Sequence, residues 1–346
     1  MKRYKFLAGC GAIATAATLL TACSNQDIKF GDFDYQTVYF ATQYPVRTLE
    51  LGEDLYVDTS MDNQHKVIIK ATMGGVYKNK QNRIIDITVD NSLCDNLYYA
   101  ATNTPVVPMP ANYYTLASNQ ITIPSGSIMG GVEVQLTDAF FEDSKSLDRN
   151  YVIPLRMTDV QGADSILSGV PLVENPNRCI DSNWSIKPRD YVLYAIKYIN
   201  QWQGNYLRRG VDEVTDNGTT TTHVRHNEYV ENDQVVNVHT KKLTVAGLPL
   251  LIYDNNGYAV NYTLTLTFAD DGTCTVSGES NDYAVTGSGK FVKKGEKNSM
   301  GGKDRDALYL DYKVDFKTLG TQYATKDTLV LRDRGVAPEY YTVEVK

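Results

Sequence analysis

The chain has 346 residues, with 34 Lys and Arg against 41 Asp and Glu, which gives a formal net charge of −7. An acidic chain lacks the basic surface that nucleic acids and anionic lipid headgroups attract, so we expect neither as a partner. The length is too great for one small core and predicts two domains.

Residues 1–22 are predicted to be a lipoprotein signal peptide. Three basic residues in the first five positions precede an apolar, alanine-rich stretch over residues 6–20, which is too short for a membrane span. Residues 20–23, Leu-Thr-Ala-Cys, match the bacterial lipobox, in which small side chains flank the cleaved bond. Cys23 would become the acylated N-terminus, and each buried methylene would contribute about 0.8 kcal/mol to anchoring. Cleavage at another bond, with a free Cys23, is the alternative.

Removal of the signal peptide leaves 31 basic against 41 acidic residues, a net charge of −10. Residues 24–27, Ser-Asn-Gln-Asp, carry no inner-membrane retention signal, which favours the outer membrane and leaves open which leaflet holds the lipid. Residues 23–35 are polar and acidic and predict a short tether behind the lipidated Cys.

Residues 36–170 predict an antiparallel β-sandwich of the immunoglobulin-like kind. Short runs of β-branched and aromatic residues alternate there with Gly, Pro, Asn and Asp. No helical period lasts long enough for a crossover helix, so the class is all-β. We expect one short helical turn, in residues 94–100 or in residues 139–145.

Residues 171–190 combine prolines with polar residues, lack a clear period, and predict a linker. Trp184 lies in this linker. Its indole either packs at the domain interface or is available to a ligand.

Residues 191–346 predict an up-and-down β-barrel. About eight long strands follow one another, joined by Asp-Gly, Asn-Gly and Gly-Ser turns. At residues 270–272, Asp-Asp-Gly, two alternating runs meet at a Gly that can adopt the positive φ of a tight hairpin. Closure into a barrel would remove the exposed edges that so many long strands would otherwise present.

The residues show no arrangement suited to catalysis, so we expect no enzyme activity, no metal and no cofactor. The acidic pairs at residues 212–213 and 270–271 are adjacent in sequence, and their side chains diverge on a strand instead of facing each other across a cleft. His223 and His226 lie in a predicted strand, where an offset of three residues places them on opposite faces.

Three cysteines follow Cys23, namely Cys94, Cys179 and Cys274. They are widely separated and show no metal-binding spacing. At most one disulfide can form among them, and buried thiols are the alternative.

The positive signal is aromatic, since the sequence contains 25 Tyr against 9 Phe and 2 Trp. Flat aromatic rings beside Asn, Asp and Arg suit sugars, which present apolar C–H faces and a rim of hydroxyls. Tyr is also favoured by β-sheets, so any single Tyr can instead cover a strand face. The glycan-binding candidates lie in the linker or beside predicted turns and termini, and they are Tyr113, Tyr114, Trp184, Asp254, Asn256, Tyr258 and Tyr340. Asp254 and Asn256 could bind sugar hydroxyls next to Tyr258 or could merely cap a hairpin.

Several segments together resemble a known pair of domains. The segments "VYFATQYPVRTLELGED", "GGVEVQLTD" and "NYVIPLRMTD" resemble the N-terminal β-sandwich of surface lipoproteins from gut Bacteroidota, which also occurs ahead of family 18 glycoside hydrolases. The segments "YAIKYINQWQGNYLRRG", "GSGKFVKKG" and "DALYLDYKV" resemble the lipocalin-like C-terminal domain of the same lipoproteins. The catalytic Asp-x-Asp-x-Glu signature of family 18 is absent.

The resemblance implies a component of a polysaccharide-utilisation locus that binds an oligosaccharide or polysaccharide for an outer-membrane uptake porin and its lipoprotein partner. It also implies that Trp202 closes the floor of the barrel. We therefore expect a non-catalytic, cell-surface glycan-binding lipoprotein, held at the membrane by its lipid alone. The alternatives are an assembly partner of the uptake complex and a lipocalin-like carrier of a small ligand.

Overall fold

The computed structural model describes residues 33–254 and 256–346. The signal peptide, Cys23 and most of the tether lie outside the described residues. Within the described part of the chain, no helix is both long and apolar enough to cross a membrane. The described residues form two β-domains, a sandwich and a closed barrel.

The sandwich contains one α-helix and most of the short strands. Its helix is α1 (Asp138–Glu142). Its strands up to the domain junction are β1 (Thr37–Tyr39), β2 (Pro45–Glu50), β3 (Lys66–Gly74), β4 (Arg83–Val89), β5 (Leu97–Tyr99), β6 (Val107–Pro108), β7 (Tyr114–Leu116), β8 (Gln120–Ile123), β9 (Met129–Leu136), β10 (Tyr151–Gln161), β11 (Ser165–Ile166), β12 (Val170–Pro171), β13 (Trp184–Ile186) and β14 (Tyr191–Ile199).

The barrel and the C-terminal segment contain the remaining strands. These are β15 (Gly204–Asp216), β16 (Thr219–Arg225), β17 (Gln234–Lys242), β18 (Val245–Tyr253), β19 (Ala259–Phe268), β20 (Thr273–Gly278), β21 (Ala284–Glu296), β22 (Arg305–Phe316), β23 (Thr321–Asp333), β24 (Glu339–Tyr340) and β25 (Val343–Val345). Short 3₁₀ turns span Asp62–Gln64, Asn91–Cys94, Ser144–Leu147, Asp181–Asn183, Val230–Asn232 and Met300–Gly302.

The sandwich strands are hydrogen-bonded in the order β11-β1-β3-β9-β8-β4-β10-β14-β2-β24. Most pairs are antiparallel, but β1 with β11, β6 with β10 and β2 with β14 are parallel. Alternate residues of each strand face the main core, as in β3, where Val67, Ile69, Ala71 and Met73 are buried and the residues between them are not. The predicted all-β class with a sandwich followed by a barrel is confirmed.

The helical turn predicted in residues 139–145 is confirmed by α1. The alternative position, residues 94–100, instead contains the end of a 3₁₀ turn followed by β5.

The predicted start of the barrel at residue 191 is wrong, because β14 pairs with β10 and β2 of the sandwich. The two faces of β14 explain the error: Val192 and Ile196 enter the main core, while Leu193 and Ala195 enter a second, smaller core. A strand that is buried on both faces has a continuous apolar sequence, and such a sequence does not indicate to which sheet the strand belongs. The last residues also return to the sandwich, where β24 pairs with β2 and β25 with β5.

Eight antiparallel strands close the barrel: β15, then β17 to β23, with β23 pairing back to β15. Strand β16 extends outward from the second half of β15. Trp202 belongs to the barrel core, where it stacks on Phe268 with ring centroids 3.9 Å apart and planes 7° apart. Leucines fill the middle of the barrel, including Leu248, Leu264 and Leu308.

A buried arginine, Arg334, contacts both domains. Arg334 is 3 % exposed. Its guanidinium donates to the backbone carbonyls of Leu51 (3.0 Å) and Glu53 (3.3 Å) in the sandwich. It also donates to the carbonyls of Asn200 and Gln203, both at 2.7 Å, in the segment that crosses to the barrel. The crossing between the domains is therefore a packed segment after β14, and not the linker predicted at residues 171–190.

Candidate functional site

A cleft of about 420 Å³, which we name the lateral cleft, opens at the side of the sandwich. Strand β3 forms one wall, and β2 with β14 forms the other. It is lined by Ala41, Thr42, Pro45, Arg47, Met61, Asp62, Lys66, Val67, Ile68, Ile69, Lys70, Val192 and Tyr194.

The lateral cleft exists because β1 leaves β3 early. Strand β1 pairs with β3 only from Thr37 opposite Gly74 to Tyr39 opposite Thr72. The chain then crosses to the other side of the sandwich, where the carbonyl of Gln43 accepts a hydrogen bond from Leu193 N–H (2.8 Å). Among residues 33–254 and 256–346, no strand pairs on that side with the half of β3 from Lys66 to Lys70.

This free edge presents backbone hydrogen-bonding groups to the cleft. Met73 N–H donates to Ile128 on the β9 side (3.2 Å), so odd-numbered residues of β3 direct their backbone groups toward β9. Because these directions alternate along a strand, Ile68 and Lys70 direct their N–H and C=O groups into the cleft. Among the described residues these groups have no strand partner.

Tyr194 forms the inner wall of the cleft. Its half-buried ring packs against the main core on the same side of β14 as Val192 and Ile196. Burial raises the pKa of its hydroxyl, with a smaller opposing effect from the charge of Arg47, so the phenol is neutral at physiological pH. The hydroxyl makes no hydrogen bond to any described residue and is available to a ligand.

A fixed guanidinium stands beside this ring. In the parallel ladder Arg47 pairs with Ile196, which places it on the same face as Tyr194. Arg47 Nη2 lies 2.5 Å from Asp62 Oδ1, and its Nη1 donates to the carbonyl of Thr48. Asp62 is 1 % exposed, and its other oxygen accepts the backbone N–H of Glu50 (2.8 Å). Since a guanidinium carries five N–H groups, Arg47 retains donors for a ligand.

Tyr340 lies next to Pro45, one of the residues that line the cleft. It is directly opposite Pro45 in the ladder between β24 and β2. Directly opposite residues share a face, and Pro45 shares its face with Arg47 two residues along the strand. Tyr340 is 63 % exposed, so this candidate combines an accessible ring with a position beside the cleft.

Three of the other candidates are packing residues and not ligand platforms. Trp184 is only 8 % exposed, and its indole N–H donates to the carbonyl of Asn177 (2.8 Å). Tyr113 packs edge-on against Tyr151, with centroids 5.6 Å apart, and its hydroxyl lies 3.1 Å from Asp143. Tyr114 is half-buried against the main core. Tyr113 and Tyr114 do lie beside a turn, but both are half-buried there.

The remaining candidates lie in the barrel, in the turn between β18 and β19. Asp254 Oδ1 accepts the backbone N–H groups of Asn256 (2.9 Å) and Tyr258 (2.8 Å), so the capping alternative is the correct one for Asp254. Tyr258 is 72 % exposed. The structure places this turn in a different domain from Tyr340 and the lateral cleft.

A largely buried polar network links β15, β22 and β23 of the barrel with β16. Asp327 accepts hydrogen bonds from Arg208 (2.9 Å), Tyr312 (3.0 Å) and Arg225 (2.6 Å). Arg225 also bridges to Asp212 at 2.5 and 3.0 Å. Paired charges thus occupy part of the buried space between the barrel strands.

Sequence reasoning missed Tyr194, Arg47 and Asp62. Alternation along β2 does place Arg47 on the same face as the buried Leu49, and a charged residue at an inward position is a usable signal. Tyr194 gave no such signal, because it lies in an apolar run that was assigned to the barrel.

Similar proteins cover both domains. Residues 201–335 match a domain of unknown function, DUF5627, and residues 33–164 match the profile of an N-terminal domain. A Bacteroides ovatus protein of unknown function has 58 % sequence identity over 91 % of this chain and 100 % of its own, with a TM-score of 0.87. No protein with a curated description matches.

Two further Bacteroides ovatus structures are similar only at low levels. A multidomain protein that includes DUF1735 has 13 % identity over 88 % of this chain and 100 % of its own, with a TM-score of 0.39. A proposed carbohydrate-binding protein has 11 % identity over 87 % of this chain and 99 % of its own, with a TM-score of 0.28. Similarities this low assign neither a fold nor a ligand.

Proposed function

The chain belongs to the family of the Bacteroides ovatus protein with which it has 58 % sequence identity, and from this premise we propose that it is a non-catalytic glycan-binding lipoprotein. In this proposal Cys23 is acylated and anchors the protein in the outer membrane, facing the cell surface. The protein presents an oligosaccharide or polysaccharide to an uptake porin and its lipoprotein partner.

The composition of the lateral cleft carries the proposal. It offers two aromatic rings, Tyr194 inside and Tyr340 next to the lining residue Pro45, against which the C–H face of a sugar can pack. Arg47 and the free backbone groups of Ile68 and Lys70 offer donors and acceptors for hydroxyls. A volume of about 420 Å³ is within the range of small-molecule sites.

Affinity electrophoresis tests the proposal. The mature chain without Cys23 would be run through gels that contain host and plant polysaccharides, mucin glycans or N-glycans. We expect at least one polymer to retard it. Both domains must be present, because β24 and β25 follow the barrel in the chain but pair with strands of the sandwich.

Two exposed tyrosines provide matched variants. Tyr340→Ala should weaken binding about tenfold, which corresponds to about 1.4 kcal/mol. Tyr258→Ala removes an equally exposed ring from the barrel and should leave binding unchanged. Retardation by none of the polymers would overturn the proposal. A loss of binding in Tyr258→Ala alone would show that the lateral cleft is not the binding site.

The free edge of β3 favours a second candidate function, in which an extended segment of a partner protein adds a strand there. Ile68→Pro tests it, since proline removes the N–H that Ile68 directs into the cleft but leaves the groups directed at β9. Two results together would favour this function: the unmodified chain copurifies with a porin but binds no glycan, and Ile68→Pro abolishes the copurification.

A further inference from the structure

The charges of the lateral cleft are unbalanced. Its lining contains three cationic residues, Arg47, Lys66 and Lys70, and one acidic residue, Asp62. The carboxylate of Asp62 is buried, and both its oxygens are occupied, by Arg47 and by the N–H of Glu50. The charge that an incoming molecule meets is therefore positive, on a chain whose formal net charge is −7.

Within the described part of the chain, Lys70 is the lining cation that no carboxylate pairs with. It lies directly opposite Gly131 in the ladder between β3 and β9, a residue with no side chain to offer an acid. Among the described residues no carboxylate pairs with it. Lys66 differs, because its ammonium lies 2.9 Å from Glu133 on the neighbouring strand.

Lys70 is also one of the residues that line the lateral cleft. Lys70 is exposed on the outer side of β3, and its own backbone groups face the cleft. A lysine stem is long enough to bring its charge over the rim of the cleft. A sugar ring against Tyr194 would thus have a cation on the β3 side and the Arg47 guanidinium on the β2 side.

We infer that the glycan taken by the lateral cleft is anionic, with a carboxylate or a sulfate that pairs with Lys70. This inference rests on the proposed function and specifies its ligand class. Arg47 and Tyr194 bind the sugar whatever its charge, and Lys70 selects the charged one.

A lysine on an edge strand also has a structural use, since its charge discourages pairing with another chain. That use alone predicts equal affinity for neutral and charged glycans. The two accounts therefore differ in a quantity that can be measured.

Charge-matched polymers provide the test. Polygalacturonate and its methyl ester share a backbone and differ in the carboxylate, while chondroitin sulfate and desulfated chondroitin differ in the sulfate. We expect one charged polymer to retard the mature chain at least about fivefold more strongly than its neutral counterpart. The preference should shrink as salt rises from 0.05 to 0.5 M, since exposed charges are screened.

Variants test which residue is responsible for the preference for charged polymers. Lys70→Gln should reduce affinity for the charged polymer about two- to fivefold, as expected for an exposed ion pair, and leave affinity for the neutral one unchanged. Lys66→Gln should have a smaller effect because Glu133 already pairs with Lys66. Lys326→Gln, an exposed lysine on the barrel, is the control and should have no effect.

Equal affinity for both members of each pair, or no change in Lys70→Gln, would overturn the inference and leave the proposed function standing. Retardation by no polymer at all would overturn both.

Discussion

Replacement of Arg334 by Met should uncouple the two domains. Four backbone carbonyls accept hydrogen bonds from its guanidinium, at 2.7, 2.7, 3.0 and 3.3 Å. A hydrogen bond to a charged group contributes about 1.5–3 kcal/mol, and the two shortest alone would give about 3–6 kcal/mol. Burial of the charge offsets part of this, as shown by the pKa of Arg334, which burial lowers. We therefore expect Arg334→Met to lower the free energy of unfolding by about 3–5 kcal/mol.

Urea unfolding followed by tryptophan fluorescence measures this loss. The sequence has two tryptophans, and Trp184 reports on the sandwich side while Trp202 reports on the barrel. Arg332→Met is the control, because the Arg332 side chain is 47 % exposed and pairs only with the adjacent Asp333 at 3.5 Å. A loss below about 1 kcal/mol in Arg334→Met, or one no greater than in Arg332→Met, would refute the reasoning.

Two further predictions concern the same junction and the barrel. Gly52→Ala should destabilise the protein by about 2–3 kcal/mol in urea unfolding, since Gly52 has φ of +92° and a Cβ there would lie 2.5 Å from Gln201 Cβ. Gly126→Ala is the control, because Gly126 has φ of +86° and a Cβ there would meet no atom within 4 Å. Its loss of stability, about 1 kcal/mol, would measure the backbone strain alone. In the barrel, burial favours a higher pKa for Asp212, but hydrogen bonds from Arg225 and Thr325 outweigh it and hold the pKa below its usual value. Asp212 therefore stabilises the fold above about pH 4 and loses this effect as pH falls through its folded pKa, so Arg225→Met should shift acid unfolding to higher pH.

Equal losses in Gly52→Ala and Gly126→Ala would show that the contact with Gln201 has no energetic consequence. An acid-unfolding midpoint that Arg225→Met leaves unchanged would show that the Arg225–Asp212 pair does not control acid stability.

Local patterns were sufficient to predict both β-domains. Alternation along β3 and the Asp-Gly turn at residues 270–272 each depend on neighbours in sequence, and both are present in the structure. The domain boundary was not predictable in this way. Strand β14 is apolar on both faces, so its sequence does not indicate whether it pairs within the sandwich or opens the barrel.

The lateral cleft was beyond sequence reasoning for a related reason. Its walls come from β2, β3 and β14, which are up to about 150 residues apart in the chain. It exists because β1 stops pairing after Tyr39, and nothing in the letters of that strand marks the point. Of the candidates chosen for their aromatic rings, Tyr340 alone lies beside the cleft, while Tyr113 and Tyr114 proved to be packing residues.

The most direct test of the central claim is a crystal structure of the mature chain with an oligosaccharide cut from the polymer that binds best. The account predicts a sugar ring against Tyr194, between β3 and β14, with hydroxyls within hydrogen-bonding distance of Arg47. An empty lateral cleft at saturating oligosaccharide, or a sugar bound instead against Tyr258 on the barrel, would contradict it.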